Sequence, residues 1–304
     1  MNFHAVLAFV RTAFLAADNR LRATWRAILY VPFYLLLFGA LFRLLLGWAE
    51  RSGFARGMEQ SYILFALTSC VMQLGIVKLM LSVLDRRPFG TLGLWFYRGW
   101  WKELATGAAL AALMLSLVVG VEVAFGAARF TWAGGSSHGA VGLSLNFVLF
   151  LAGALKEELE LRGYPFQRGV EAVGPWPSIA VFSTLFGVLH WWNPASTVLS
   201  TANTVLIGVL LALGYLKTRA LWLPIGVHFS WNFLLGYVYS LPVSGIVLHY
   251  RLFHTEVKGP TYLTGGDYGP EGSVVTTVVI VVAAVWLAQS KKISASQEMA
   301  QILK

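Results

Sequence analysis

Glu157 and Glu158 stand side by side near the end of a long apolar run, and Arg162 follows four residues after the second of them. Later apolar segments carry His190 and then His228 with Asn232. A carboxylate in a low-dielectric site can exchange protons near neutral pH. Beside a water it could act as general base, then as general acid to a departing amine. His190 could orient or help activate that water. His228 and Asn232 are four residues apart, so a helix projects both from one face. Two donors on one face could hold a developing oxyanion, as hydrolysis of an amide requires.

Spacing divides the labour between the carboxylates. On a helix Glu158 and Arg162 are i and i+4 neighbours within ion-pair reach, whereas Glu157 points about 100° around the axis. Arg162 is therefore expected to hold Glu158 and leave Glu157 available to a cavity. Glu160, three residues after Glu157, faces partly the same way and competes for that role. Each element alone has a plainer reading. The acidic string suits an interfacial ion-pair cluster, Phe186 with His190 suits packing plus a hydrogen-bonded histidine, and His228 with Asn232 suits bonds between helices. Their joint occurrence in apolar surroundings favours chemistry, because ionisable groups inside lipid-spanning helices are costly.

The elements that must position these groups are long apolar helices. Apolar residues make up 57% of the 304-residue chain and charged residues 12%, about half the charged share of soluble domains. A bilayer span needs about 20 mostly apolar residues. Candidate spans run over Ile28 to Trp48, Tyr62 to Leu84, Leu104 to Phe125, Val141 to Leu161, Pro177 to Trp192, Ala195 to Leu216, Leu221 to Tyr239 and Val274 to Ala288. The expected fold is an all-α polytopic membrane helix bundle of about eight transmembrane helices. Its organisation reads as a cytoplasmic or interfacial N-terminal helix (1–27), N-terminal spans (28–140), a catalytic core (141–240), an extracytoplasmic loop (241–273), and a last span with a cytoplasmic tail (274–304).

Basic residues cluster at alternate connections: Arg11, Arg20, Arg22 and Arg26, then Arg86, Arg87, Arg98 and Lys102, then Arg162 and Arg168, Lys217 and Arg219, and Lys291 and Lys292. By the positive-inside bias both termini are cytoplasmic; Arg51 and Arg56 in the first outer loop dilute the asymmetry without reversing it. The net charge of +9 is spread over helix flanks, which fits topology and anionic lipid headgroups and implies no nucleic-acid partner. The single cysteine, Cys70, excludes an intrachain disulfide and a cysteine-based zinc site. The histidines outside the motifs, His4, His138, His249 and His254, read as solvated.

At the three acidic and histidine motifs the chain resembles the intramembrane endopeptidases that include CAAX prenyl proteases and bacteriocin-processing enzymes. That family is marked by Glu-Glu-x-x-x-Arg, Phe-x-x-x-His and His-x-x-x-Asn on separate membrane helices. They read here as Glu157 to Arg162, Phe186 to His190 and His228 to Asn232. The likeness covers roughly residues 141 to 240, with Leu161 standing where members often have an aromatic residue. It implies Glu157 as the water-activating base with His190, His228 and Asn232 as the oxyanion site, and Glu158 and Arg162 in support. The family is described both as metal-dependent and as metal-independent glutamate peptidases. A zinc site could use Glu157, His190 and His228 as ligands and leave one position for water; the favoured reading requires no cofactor. The partners implied are a membrane-associated peptide or protein substrate and the lipid bilayer, in a bacterial inner membrane. Two other classes share the same residues: a noncatalytic scaffold or immunity protein of this fold, and a proton-coupled transporter, although no repeated halves with broken helices accompany the motifs.

One expectation about depth conflicts with the rest. His190 lies about 20 Å up its helix from Pro177, and His228 only about 10 Å from its helix start, at 1.5 Å per residue. With Glu157 and His228 as guides, the cavity should open towards the arginine-rich cytoplasmic half.

Overall fold

A computed structural model describes residues 11–53, 58–132 and 139–302. Of the expected N-terminal helix (1–27), residues 1–10, His4 among them, lie outside the described residues, as do Arg56 and His138; the described part is not one helix, being helical at 11–14, turning at 17–20 and entering the first long helix at Ala23. Helix α1 spans Ala23–Ser52 and ends on Gly53, whose φ of 73° gives the left-handed turn that favours glycine. Helix α2 spans Met58–Met80 and continues through a wider π turn, Leu81–Asp85. Helix α3 is Trp100–Ala124, α4 Ala140–Leu161, α5 Tyr164–Val173, α6 Pro175–His190, α7 Val198–Thr218, α8 Trp222–Phe233, α9 Val274–Gln289 and α10 Gln297–Ile302. Prolines in the first turns of α5 and α6 sit where their missing N–H costs nothing. Thr197 and Ser200 form a reciprocal capping box that starts α7.

All eight expected apolar segments are helical. Five helical stretches, Ala23–Ser52, Glu59–Asp85, Trp100–Ala124, Ala140–Val173 and Val198–Thr218, are long and apolar enough to cross a membrane, and Val274–Gln289 is a shorter apolar helix. The fold is an all-α helix bundle. Its one sheet among the described residues is a two-stranded antiparallel ribbon of β1, Ala128–Trp132, and β2, Phe253–Val257, running in register from Ala128 opposite Val257 to Trp132 opposite Phe253. The ribbon ties the loop after α3 to the long connection between α8 and α9.

Lipid supplies little apolar drive between helices, so close backbone approach and polar bonds must hold them. Glycine provides the approach between α3 and α8. A methyl added at Gly226 would lie 2.2 Å from the Leu104 carbonyl oxygen, and one at Gly107 would lie 2.2 Å from that of Leu223. Replacing Gly226 by Ala is expected to push the helices apart and cost about 1–3 kcal/mol, read as a lower thermal midpoint in detergent. Gly120 on α3 has nothing within 4 Å of the same added atom. Gly120→Ala is accordingly expected to lose no stability, since alanine is the better helix former.

Polar bonds fix α1, α2 and α4. The Tyr30 hydroxyl donates to Gln73 (3.1 Å), and Gln73 Nε2 donates to the Lys156 carbonyl (3.3 Å). At the arginine-rich end, buried Asp85 accepts from Arg168 (2.6 Å) and from the Tyr164 hydroxyl (2.6 Å), and pairs with Arg26. Glu171 joins Arg26 and Arg168, each at 2.6 Å. This belt clamps α5 against α1 and α2.

The belt also settles the depth of the acidic motif. Glu160 accepts from the Tyr34 hydroxyl at 2.7 Å, and Tyr34 lies eight residues beyond Arg26 on α1, about 12 Å along the axis. Glu157 is almost one turn farther from the belt. Helix α4 therefore ends well inside the bundle, and Gly163 and α5 carry the chain on to the belt. A helix rising about 22 Å over the fifteen residues from Pro175 to His190 reaches the same level.

Candidate functional site

Glu158 is fully buried and Arg162 is 1% exposed. Arg162 Nη1 donates to Glu158 Oε1 at 3.3 Å, and Nη2 donates to the Gly208 carbonyl of α7 at 3.1 Å. The guanidinium also lies over the Phe186 ring, 4.7 Å from its centroid. Phe186 in turn meets both imidazoles edge-on, His190 at 4.6 Å and His228 at 6.0 Å between centroids. The phenylalanine of the second motif is thus the shared platform for groups from α4, α6 and α8.

The same Glu158 oxygen faces His228 Nδ1 at 2.8 Å. His190 Nδ1 lies 2.8 Å from the Phe186 carbonyl, which can only accept, so this nitrogen carries the proton and directs Nε2 away. Both Nε2 atoms turn to the other glutamate: Glu157 Oε2 is 3.6 Å from His228 and 4.0 Å from His190. His190 and Glu157 retain 18% and 17% exposure. The expected split between the two glutamates is present in the geometry, with an addition: Glu158 is held by His228 as well as by Arg162.

Glu160 goes elsewhere. Its carboxylate binds Tyr34, Lys156 Nζ (3.0 Å), Ser69 and Gln73 in a polar cluster between α1, α2 and α4. Asn232 joins His228 on one wall of a cavity that also takes in His190, Trp231, Ser244 and Glu271. Glu157 is not part of that wall and meets it through the two imidazole edges it faces. His249 and His254 are exposed and lie outside this cavity.

The cavity extends in the direction opposite to the expected one. Asn203 and Thr204 near the start of α7, Thr276 and Ile280 of α9, and Ser244 and Glu271 of the connection 241–273 all line it. These belong to the end of the bundle away from the arginine belt. That connection reads in sequence as polar and turn-rich, yet it folds back into the bundle. Trp231 Nε1 donates to Glu271 Oε1 at 3.0 Å, the Ser244 hydroxyl donates to Oε2 at 3.1 Å, and the Ser244 backbone N–H donates to Oε2 as well. Asn203 Nδ2 secures the segment by donating to the carbonyls of Glu271 (2.8 Å) and Ser273 (2.9 Å). Sequence reasoning passed over Glu271; its one signal is an acid inside a Gly- and Pro-rich run directly before an apolar helix.

Glu157, His190 and His228 are suitable donor types for zinc, but donors around one tetrahedral zinc at about 2.0–2.1 Å stand about 3.3–3.4 Å apart. The separations here are 3.6 and 4.0 Å, and no group of three or more His, Cys, Asp or Glu among the described residues is arranged to hold a metal. As arranged, the donors stand a few tenths of an ångström wider than a tetrahedral zinc holds them.

No curated protein and no solved structure matches the chain. Residues 139–234 match the family described as Type II CAAX prenyl endopeptidase Rce1-like, an interval that begins at α4, ends just past α8 and holds all three motifs. The resemblance read from those motifs is therefore borne out: over this third of its length the chain, an all-α integral membrane protein, is similar to the Type II CAAX prenyl endopeptidase Rce1-like family.

Proposed function

We propose that this protein is an intramembrane endopeptidase that hydrolyses a peptide bond of a membrane-associated peptide or protein. The observation that carries the reading is the approach of two imidazole Nε2 atoms, from α6 and α8, to the one Glu157 carboxylate of α4. Separations of 3.6 and 4.0 Å exceed a direct hydrogen bond and suit a reacting water held among the three groups. Glu157, with His190 orienting the water, takes its proton as the water oxygen attacks the scissile carbonyl carbon. The carbonyl oxygen becomes the oxyanion. Glu157 then delivers the proton to the departing amine, the C–N bond breaks, and the carboxylate is regenerated.

His228 and Asn232 receive the oxyanion. A neutral His228 with its proton on Nδ1 has no donor left at Nε2. Carboxylates face both of its ring nitrogens, and they favour the imidazolium, which donates from both. Glu158 thus turns His228 into an oxyanion donor, while Arg162 keeps Glu158 in place. Asn232 has no side-chain hydrogen bond among the described residues and is free to donate. Asn232→Ala is expected to lower kcat by about 10²–10³-fold with little change in KM, as loss of one oxyanion donor does; an unchanged kcat removes it from this role.

This mechanism requires no cofactor. The chain sits in a bacterial inner membrane with both termini cytoplasmic, in keeping with its arginine-rich connections. The test is cleavage of fluorogenic membrane peptides by the purified protein in lipid vesicles, before and after exhaustive dialysis against a chelator. Cleavage that survives dialysis is expected. Loss of cleavage that zinc restores overturns the metal-independent form, and failure to cleave any peptide in a broad set overturns the peptidase reading.

A further inference from the structure

The cavity beside His190 and Asn232 contains a charge that the hydrolytic steps do not use. Glu271 enters it from the connection 241–273, outside the segment that matches the peptidase family. Among the described residues no Lys or Arg lines the cavity. The nearest guanidinium of the site, Arg162, is buried beneath Phe186 and committed to Glu158 and the Gly208 carbonyl. Counting the site together, and with Lys156 balanced by Glu160 at 3.0 Å, three carboxylates, Glu157, Glu158 and Glu271, stand against one guanidinium and one imidazolium. The balance is negative.

The bonds made by Glu271 favour its charged form. Trp231 Nε1, the Ser244 N–H and the Ser244 hydroxyl all direct donors at its two oxygens. Burial raises its carboxyl above the ordinary value, and these same donors offset only part of that rise. A carboxylate has about four lone-pair sites, so three donors leave capacity for one more. A peptide cut close to its free C-terminus would bring a second carboxylate into this cavity, where the one cation, the His228 imidazolium, is already faced by Glu157 and Glu158. A lysine or arginine side chain meets the opposite situation.

Resting on the peptidase reading above, we propose that Glu271 is a specificity-determining residue: the cavity takes a cationic stretch of peptide, with a Lys or Arg beside the scissile bond, and disfavours a free carboxylate there. Substrates are cut at internal positions flanked by basic residues. Glu271 contributes the selecting charge, and Trp231 and Ser244 hold it in place. Because Trp231 immediately precedes Asn232, the selecting group and the oxyanion site are coupled through one turn of α8.

The experiment uses the full chain in neutral-lipid vesicles with four fluorogenic peptides of one sequence. They carry Lys, Gln or Glu beside the scissile bond with an amidated end, or Gln with a free C-terminal carboxylate at that place. Opposite charges brought together in a partly buried site favour the Lys peptide over the Glu peptide by at least about tenfold in kcat/KM, and the amidated end over the free one in the same sense. In Glu271→Gln, which keeps the side-chain length and an acceptor for Trp231, both ratios are expected to fall towards one. Wild-type ratios near one, or ratios unchanged in Glu271→Gln, overturn the proposal while leaving the peptidase reading intact. Binding of the same peptides to Glu157→Gln, read by fluorescence anisotropy, separates the two ideas. A Lys preference in binding without cleavage by wild type overturns the peptidase reading and supports the selecting role of Glu271. If Glu271→Gln does not fold, the salt dependence of the wild-type Lys preference decides: it must shrink as ionic strength rises.

Discussion

Glu157→Gln is expected to leave the protein folded and to lower kcat/KM for a membrane peptide by at least about 10²–10⁴-fold, the contribution of a positioned general base. Glutamine keeps the shape of the side chain and an oxygen for the two imidazoles, but it cannot take a proton from water or return one to the amine. Folding should survive because glutamine keeps an oxygen for the groups around Glu157, the two imidazoles at 3.6 and 4.0 Å and the Tyr62 hydroxyl. Glu160→Gln is the matched control. It lies on the same helix face by sequence, but its carboxylate belongs to Tyr34 and Lys156. Any change it makes should appear in thermal stability and not in kcat. Equal cleavage by wild type and Glu157→Gln, with both proteins folded, sinks the proposed base; equal losses in the two variants would point to general disruption near the end of α4.

The division between Glu157 and Glu158 was legible because it needs only helical geometry. An i, i+4 pair meets and its neighbour turns about 100° away. What the spacing could not supply was the second partner of Glu158. His228 lies seventy residues away on another helix, and only the packing of α4 against α8 brings it within reach. Glu160 was ambiguous for the same reason. Its direction around the axis was readable, but the polar side chains of α1 and α2 that capture it were not. Phe186 read as packing, and it does pack, yet its position between Arg162, His190 and His228 gives that packing a site to hold.

The helices themselves followed from long apolar runs, whose length and composition suffice without tertiary information. Depth did not follow. Placing helix ends at the membrane edge assumes that each apolar run spans the bilayer, and α4 breaks the assumption by ending inside the bundle, with Gly163 and α5 completing the crossing to the Asp85 belt. The connection 241–273 misled in the opposite sense. Gly and Pro signal turns without saying whether the turns face solvent, and here they return Ser244 and Glu271 to the cavity.

Arg162→Ala carries the largest expected loss of stability, about 3–5 kcal/mol, because it strips a buried carboxylate of its balancing charge. The guanidinium makes three contacts that a smaller group cannot replace: Glu158 Oε1, the Gly208 carbonyl and the Phe186 face. Lysine keeps the charge but not the planar fork or the stacking surface, so Arg162→Lys should recover only part of the loss. Denaturant titration of the detergent-solubilised protein measures the change, and a variant as stable as wild type would mean that Glu158 is balanced by His228 alone. The double variant Glu158→Ala with Arg162→Ala removes both charges and leaves neither unpaired, so it should be more stable than Arg162→Ala by itself. Activity should not return with that stability. Without Glu158, His228 loses the carboxylate at Nδ1 that favours its doubly protonated form, and the oxyanion loses a donor. Recovery of folding without recovery of kcat would separate the structural task of Arg162 from the chemical task proposed for Glu158 through His228.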